Sequence, residues 1–417
     1  MTASPAPARP VAIAVAGLVA LAVAMGIGRF AFTPLLPIMM AEGSVTLPGA
    51  SLLASANYFG YLLGAVACTF QPWLWTRLGW TPAVNGPALV RAGLVATGIL
   101  TAAMAWHWPA GWVLWRFAAG LASAVVFLYT SGWCLEQLAR RGLPTMGALM
   151  YVGPGLGIVV SGLAASAMVA WQAPAAFGWL VFGLLALVLS ACVWTVFDAR
   201  RSVPAPASVS GDSGSGPPPV DAGAGQMALL TIAYGVAGMG YIITATFLPV
   251  IARLALPGSH WLDLFWPLFG LGVIIGALVA SRLRGGDLRL RLAACYAIQA
   301  AGVAASLVSP TLAGFAIGSL LLGLPFTAIT FFALQEARRI KPRHATSLMG
   351  LLTAMWGLGQ ILGPPLAATL VAHSRSIAEG FERSLWIATG ALVAGMALYL
   401  LQARLYPWEG AARRNAG

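Results

Sequence analysis

The chain has 417 residues, of which 59% are hydrophobic and only 8% are charged, and its net charge is +12. A soluble globular protein carries about a quarter of its residues as charged side chains. The composition therefore excludes an ordinary soluble enzyme or binding module, and it indicates a protein that crosses a membrane many times.

Taken in chain order, the apolar segments predict twelve membrane-spanning helices. A spanning helix needs about 20 apolar residues, and segments of that kind lie at residues 11–40, 47–70, 83–106, 110–137, 144–170, 174–198, 227–252, 261–281, 289–309, 311–336, 346–372 and 384–405. The runs are continuous, unlike the alternating strands of an outer-membrane barrel. The first run is too long for a cleaved signal peptide, so we expect it to be retained as helix 1. The predicted fold class is an all-α membrane protein.

A polar segment at residues 200–226 interrupts the apolar pattern in the middle of the chain. Fifteen of these 27 residues are Pro, Gly or Ser, a composition typical of a flexible linker. We therefore expect an N-terminal six-helix bundle at residues 1–199, a flexible cytoplasmic linker at 200–226 and a C-terminal six-helix bundle at 227–417.

The two predicted bundles share glycine and proline positions. Helix 1 matches helix 7 with an offset of 212 residues, and helix 5 matches helix 11 with an offset of 210. The matching pairs are Gly26 and Gly238, Pro37 and Pro249, Gly153 and Gly363, and Pro154 and Pro364. Two nearly equal offsets at equivalent helices indicate a parallel internal repeat, which is a known plan of transporters with a binding site between the halves.

The positive charges are distributed unevenly along this topology. If the N-terminus is cytoplasmic, 17 of the 23 Lys and Arg residues fall in cytoplasmic segments and only 3 on the opposite side. The remaining residues, Arg29, Arg91 and Arg116, fall inside helices. This asymmetry follows the positive-inside rule and predicts that both termini are cytoplasmic. It also accounts for the net charge without a nucleic-acid partner.

Three motifs resemble those of the major facilitator superfamily. The segment Arg116–Ala124 in helix 4 is similar to the family signature R-x-x-x-G-x-x-x-A, and Gly153–Gly157 in helix 5 is similar to the Gly-Pro signature of its antiporters. The loop signature after helix 2 is degraded, because Thr76 stands where the family has Asp and Pro72 where it has Gly. This departure puts the usual contact between that loop and the helices in doubt.

The segment Met25–Pro37 in helix 1 resembles the YbfB/YjiJ-type branch of the superfamily. The resemblance covers nearly the whole chain and implies two six-helix bundles in a bacterial inner (plasma) membrane. It also implies secondary transport, and the helix 5 signature implies an antiporter. The resemblance does not indicate which substrate is transported.

Arg29 is the leading candidate for a substrate-binding residue. It lies about 18 residues into helix 1, near the middle of the membrane. A charge there costs about 2.5–3.5 kcal/mol unless it faces a partner or a wet cavity. No Asp or Glu falls at that depth in the sequence, so we expect a substrate anion to neutralise it. The alternative is that backbone carbonyls, freed by Pro34 and Pro37, hold the guanidinium.

Arg116 is the second candidate, about six residues from the outer end of helix 4. It would form one positive patch with Arg29 in the outer half of the N-terminal bundle. The alternatives are that Arg116 extends toward the outer headgroups or that it holds the packing of helix 4. Arg91, near the cytoplasmic end of helix 3, can extend to the membrane surface.

Uncharged polar and aromatic residues in the helices are further candidates for lining a binding site. They are Asn57, Tyr61, Tyr241, Thr244, Trp356 and Gln360. Each of them can instead form a hydrogen bond between helices, worth about 0.6 kcal/mol on average. A hinge or close packing is expected at Gly153, Pro154, Gly157, Gly363 and Pro364, because small residues let helices approach and Pro removes a helix hydrogen bond.

No arrangement of residues in the sequence points to an enzyme. The four histidines fall in predicted loops or at helix ends, without the spacing of metal ligands. No phosphate-binding loop of the type G-x-x-x-x-G-K-[ST] is present. We therefore expect no catalytic residue, no metal and no cofactor.

These features predict a secondary transporter that works by alternating access on a small organic anion, most simply a carboxylate. Antiport and proton-coupled transport both remain open, with Glu136 and Asp263 as acids that could titrate. The alternatives are efflux of drugs or other amphiphiles, and a membrane receptor that binds without transporting. The expected partners are a small-molecule substrate, a proton and the lipid bilayer, and we expect a monomer.

Overall fold

The structure is a computed structural model that describes residues 9–79, 85–198, 223–259, 261–283, 285–341 and 345–407. Within these ranges the secondary structure is entirely helical, and twelve helices are long and apolar enough to cross a membrane. They are α1 (Pro10–Ala41), α2 (Leu47–Gln71), α3 (Gly86–Ala103), α4 (Pro109–Ala139), α5 (Thr145–Ala170), α6 (Ala175–Val193), α7 (Ala224–Ala255), α8 (Leu262–Arg282), α9 (Leu288–Val308), α10 (Leu312–Ile340), α11 (Leu348–Ala372) and α12 (Ile377–Leu405). The predicted fold class and number of helices are confirmed.

Several predicted helix ends differ from the structure by up to five residues, and two further predicted starts bear on the domain boundaries and the last helix. Helix α7 begins at Ala224, so the last residues assigned to the linker belong to a helix; the rest of the predicted linker, up to residue 222, lies outside the described residues. Helix α12 begins at Ile377, seven residues before the predicted start, because Ser376 caps it by accepting a hydrogen bond from the N–H of Glu379 at 3.1 Å. The polar first turns of α12 hid this start from a hydropathy pattern.

Helix α1 is interrupted near its middle. It consists of an α-helical segment (Pro10–Leu21), a π-helical segment (Ala22–Ile27), a turn, and a second α-helical segment (Phe32–Ala41). The second segment carries Pro34 in its first turn, where the missing N–H loses no helix bond. In the turn, the carbonyl oxygens of Gly28 and Arg29 have no helix N–H donor, so they need other hydrogen-bond donors.

Glycines set the closest contacts within each half, and the two halves use them in equivalent places. A Cβ atom added to Gly157 on α5 would lie 2.5 Å from the carbonyl oxygen of Ala22 on α1. A Cβ added to Gly359 on α11 would lie 2.4 Å from the carbonyl oxygen of Gly235 on α7. Because only glycine fits at such a distance, α1 lies directly on α5 and α7 lies directly on α11.

Pro154 in α5 and Pro364 in α11 have different effects on the helix that contains them. Pro154 lies in the first turn of the α-helical part of α5, directly after a 3₁₀ segment (Pro144–Val152). It therefore marks a junction between two helix types instead of a bend within one helix. Helix α11 runs as one α-helix through Pro364 and Pro365.

Candidate functional site

A cavity of about 1640 Å³ lies between the N-terminal and C-terminal halves. It extends from Arg29 in the middle of α1 to the ends of α4, α8 and α10, where Arg140, Arg282 and Arg338 line it. We call this end of the molecule the basic face. The cavity is larger than the ligand pockets of about 300–1,000 Å³ found in soluble proteins, as expected for a vestibule open to water.

Hydrogen bonds and aromatic contacts join the two halves at the other end of the cavity. Thr33 donates to the carbonyl of Ala245 at 3.0 Å, and Ser55 donates to the carbonyl of Ile361 at 2.9 Å. The hydroxyls of Tyr58 and Thr246 lie 2.9 Å apart. The ring of Phe30 contacts Trp266 and Phe326, with centroids 6.2 and 5.8 Å apart. We call this set of contacts the closed end, because it separates the cavity from the face opposite the basic one.

Arg29 lies where the cavity meets the closed end, with only 3% of its surface exposed. Its Nη2 donates to Oε1 of Gln360 on α11, and its guanidinium lies 4.1 Å from the ring centroid of Tyr61 on α2. Its Nε has no hydrogen-bond partner among the described residues. No Asp or Glu in that part of the chain forms an ion pair with it. Among the described residues the buried charge is thus held by neutral groups: the amide of Gln360, a side-chain hydrogen bond with Tyr61, and aromatic rings.

Arg116 has a different environment from the one that a shared positive patch requires. Its Nη1 donates to the carbonyl of Gly28 at 3.2 Å and its Nη2 to the carbonyl of Arg29 at 3.1 Å. Its side chain is 2% exposed and is not among the residues lining the cavity. Arg116 therefore satisfies the carbonyls freed by the break in α1. The packing alternative describes its geometry, and the two carbonyls that it binds lie in the turn of α1 before Pro34 and Pro37.

The other six predicted binding residues divide into two groups. Tyr61, Tyr241, Trp356 and Gln360 line the cavity, together with Arg29. Asn57 and Thr244 do not: Asn57 is fully buried and donates to the carbonyl of Arg116 at 2.9 Å, and Thr244 is 4% exposed. Their positions are those of residues packed between helices. Substrate binding by any of the six stays a prediction.

Aromatic residues that the sequence did not single out complete one wall of the cavity. Tyr234 lies with its ring centroid 4.7 Å from Trp356, and Tyr241 stacks on Trp356 at 5.2 Å. Phe326 packs edge-on against Tyr241 at 5.4 Å. We call Tyr234, Tyr241, Phe326 and Trp356 the aromatic wall. Tyr234 lies seven residues before Tyr241, two helical turns away on one face, so this spacing is the signal that could have identified it.

The charged residues that line the cavity are mainly positive. Among the described residues they are Arg29, Arg140, Arg282 and Arg338, against Glu136 alone. Glu136 also forms an ion pair with Arg140. The lining therefore has a net positive charge, which attracts anions and repels cations.

The residues predicted for a hinge or close packing lie where helices touch. Gly153 would place a Cβ 2.2 Å from the carbonyl of Leu18, and Gly363 would place one 2.3 Å from the side chain of Ile242. Gly157 contacts α1 as described above, and Pro154 lines the cavity. The three glycines are thus closely packed in this structure, and a hinge motion at any of the five residues stays a prediction.

Comparisons with known proteins agree with this architecture. The family described as "Uncharacterised MFS-type transporter YbfB" matches residues 21–400. No curated protein sequence gives a significant match.

Solved structures of transporters share the fold at low sequence identity. The nucleoside transporter NupG is 14% identical with a TM-score of 0.65, covering 94% of this chain and 98% of its own. The human organic anion transporter TETRAN is also 14% identical, with a TM-score of 0.60, covering 94% of this chain and 100% of its own. The family match spans most of the chain. The chain therefore belongs to the YbfB family of MFS-type transporters, and it is a multi-pass membrane transporter, not an enzyme.

Proposed function

We propose that this transporter carries a small organic anion with a carboxylate group, and that Arg29 binds that group. The observation that carries the proposal is the state of Arg29: it is buried and without an acidic partner in the described chain, and it lies at the inner end of a cavity. A buried charge is stable only when it is paired or hydrogen-bonded. A substrate carboxylate supplies both the charge and the acceptors.

The geometry of the guanidinium supports a carboxylate in particular. The N–H bonds of Nε and Nη2 point to the same side of the planar group, and this pair forms the fork that a carboxylate binds with two parallel hydrogen bonds. In Arg29, Nε has no partner among the described residues and Nη2 donates to a neutral amide oxygen. One half of the fork thus has no partner in the described chain, and the other half has an uncharged one.

The surroundings of Arg29 support a substrate with a flat, apolar body. The aromatic wall lines the same cavity as Arg29, and Gln360 links its Tyr241 to the guanidinium. Aromatic side chains pack favourably against planar rings in stacked or edge-on geometry. The same wall is the specific observation in favour of the second candidate function, efflux of amphiphilic compounds. The positive lining disfavours cationic amphiphiles in that case.

We also propose how the transporter sits in the membrane. Placing the basic face in the cytoplasm follows the positive-inside rule and puts both termini in the cytoplasm of a bacterial inner membrane. The cavity is then open to the cytoplasm, and alternating access moves the opening to the other side. Antiport needs no titrating acid in the cavity. For proton coupling, Glu136 is the acid that lines it, whereas Asp263 pairs with Arg253 on the outer side.

The test is a binding and uptake experiment with matched compounds on the purified transporter. Benzoate, cyclohexanecarboxylate, succinate and the uncharged benzamide are compared by thermal shift and by uptake into proteoliposomes. A compound at about a hundred times its dissociation constant stabilises the folded protein by about 2.7 kcal/mol. We expect stabilisation by at least one carboxylate and none by benzamide.

Variants of Arg29 then assign the effect to the site. Arg29→Gln should weaken carboxylate binding roughly tenfold to a hundredfold, since a hydrogen bond to a charged group is worth about 1.5–3 kcal/mol. Arg29→Lys keeps the charge but not the two parallel donors, so its carboxylate affinity should lie between those of the unsubstituted protein and Arg29→Gln. Arg91→Gln is the matched control, because Arg91 bonds to Trp194 away from the cavity. Stabilisation by neutral amphiphiles alone, unchanged in Arg29→Gln, would favour efflux instead.

A further inference from the structure

We infer that the side-chain amide of Gln360 occupies the place of a substrate oxygen in the empty transporter, and that a carboxylate must displace it. The displacement breaks a link between the two halves, so Gln360 couples binding to opening of the closed end. This inference rests on the proposed anion site at Arg29.

The link is a short chain of hydrogen bonds across the halves. Arg29 on α1 donates through Nη2 to Oε1 of Gln360 on α11, and Nε2 of Gln360 donates to the hydroxyl of Tyr241 on α7. Gln360 is 1% exposed and Tyr241 is fully buried, yet all three residues line the cavity. Arg29 belongs to the N-terminal half and the other two to the C-terminal half. The amide thus joins the halves where the cavity ends.

A carboxylate competes directly with this amide. Binding with two parallel hydrogen bonds uses Nε and Nη2 of Arg29 together, and Nη2 is also the nitrogen that donates to Gln360. In the proposed exchange the carboxylate takes the N–H of Nη2 that Gln360 accepts in this structure. The amide offers one neutral oxygen, whereas the carboxylate offers two oxygens and a charge. The exchange favours the carboxylate, because it adds a second hydrogen bond to the guanidinium and the attraction between opposite charges in a site of low dielectric constant.

The position of Gln360 in α11 connects this exchange to the closed end. The next residue, Ile361, accepts a hydrogen bond from Ser55 of the other half at 2.9 Å. Movement of the Gln360 side chain and of the adjoining turn of α11 therefore acts on two of the contacts that hold the halves together. The bonds from Thr33 to Ala245 and between Tyr58 and Thr246, and the aromatic contacts of Phe30, remain as the barrier to opening.

The experiment measures the distance between the halves at the closed end, with and without benzoate. Spin labels are placed at Ala41→Cys on α1 and Ala255→Cys on α7, both at exposed helix ends on that side. The background carries Cys68→Ser and Cys192→Ser, because these two thiols are at least partly exposed. Double electron–electron resonance gives the distances, and calorimetry gives the benzoate affinity.

Two opposite substitutions of Gln360 give opposite results. Gln360→Leu removes the competing oxygen, so the ligand-free protein should already populate longer distances and bind benzoate roughly tenfold tighter. Gln360→Glu supplies a built-in carboxylate, so the distances should stay short and benzoate should have no effect. Tyr241→Phe removes only the hydroxyl that accepts the hydrogen bond from Gln360, so it should change the distances and the affinity in the same direction as Gln360→Leu, but less. This variant replaces Gln360→Leu in the test if Gln360→Leu does not fold.

The control is Gln299→Leu, the same change at a buried glutamine of α9 that donates to the carbonyl of Leu322 outside the cavity. Distances and affinity should then match the unsubstituted protein. If benzoate binds the unsubstituted protein, and Gln360→Leu alters neither its affinity nor the distances, the inference is wrong and the anion site stands. If no carboxylate binds, the proposed function fails and this inference fails with it.

Discussion

Two buried arginines lie side by side in this protein and are stabilised by different means. Arg116 is bonded to the carbonyls of Gly28 and Arg29. Arg29 has one amide acceptor and an aromatic ring at 4.1 Å. Backbone carbonyls satisfy a guanidinium permanently, whereas an amide is an acceptor that an anion can replace. This difference supports a structural role for Arg116 and the proposed binding role for Arg29.

We expect Arg116→Leu to destabilise the protein by about 3–6 kcal/mol, because two carbonyls each lose a charged donor that is worth about 1.5–3 kcal/mol. Arg116→Lys keeps the charge but not the fork, so its loss should be smaller. Thermal unfolding of the detergent-solubilised protein measures the change in stability.

The control for this prediction is Arg91→Leu, whose partly exposed side chain bonds to the carbonyl of Trp194. Its loss should be below about 1 kcal/mol. Equal unfolding temperatures for Arg116→Leu and the unsubstituted protein would show that the break in α1 is stable without the hydrogen bonds from Arg116.

At the scale of single elements, α1 determines the site. Its π-helical segment and turn place Arg29 toward the cavity and leave two carbonyls for Arg116. The π-helical segment also lies against α5, where Gly157 allows the backbones to touch. Segments of π-helix are uncommon and frequently occur at functional sites. The irregular part of α1 is thus held by one arginine on α4 and by glycines on α5.

We expect Gly157→Ala to lower both stability and transport. The added Cβ would lie 2.5 Å from the carbonyl oxygen of Ala22 and 2.7 Å from the Cα of Gly26, and backbone atoms cannot move aside cheaply. Overpacking of this kind costs about 1–3 kcal/mol. Thermal unfolding and substrate exchange in proteoliposomes measure the two effects.

Gly390→Ala is the matched control, because a Cβ at this position of α12 meets no atom within 4 Å. This change should be neutral or stabilising by up to about 1 kcal/mol, since alanine favours a helix over glycine. Normal stability of Gly157→Ala would mean that α1 and α5 can separate freely.

At the scale of the whole molecule, the two halves meet at one end and part at the other. The closed end contains side-chain hydrogen bonds and aromatic contacts between halves, and the basic face contains the mouth of the cavity. In the proposed mechanism of alternating access, this arrangement is one of the two required states. The net positive lining would attract the proposed anionic substrate from the open side.

We expect a membrane-impermeant maleimide to modify Cys68 from the basic face only. Cys68 lines the cavity, whereas Cys134 and Cys295 are buried. Labelling of a Cys192→Ser protein in inverted and in right-side-out vesicles measures the accessibility, and Cys68→Ser gives the background. Faster labelling in inverted vesicles also places the basic face in the cytoplasm. Equal labelling from both sides would contradict the closed end.

The sequence by itself determined the twelve spans and the all-α fold. Hydropathy is a sum over neighbouring residues, so a run of about 20 apolar side chains predicts a spanning helix whatever surrounds it. The cost of an unpaired charge in a membrane is equally local, and it singled out Arg29. Because hydropathy reads only the apolar run, the sequence analysis missed the start of α12, whose first turns are polar.

Only the tertiary structure decided which polar residues face the cavity. Asn57 and Tyr61 lie one turn apart on α2, yet Asn57 bonds to α4 and Tyr61 lines the cavity. The role of Arg116 depends on a break in another helix, and the aromatic wall depends on how α7, α10 and α11 meet. Contacts of this kind join residues far apart in the chain, such as Arg29 and Gln360, and no local pattern records which helix faces pack together.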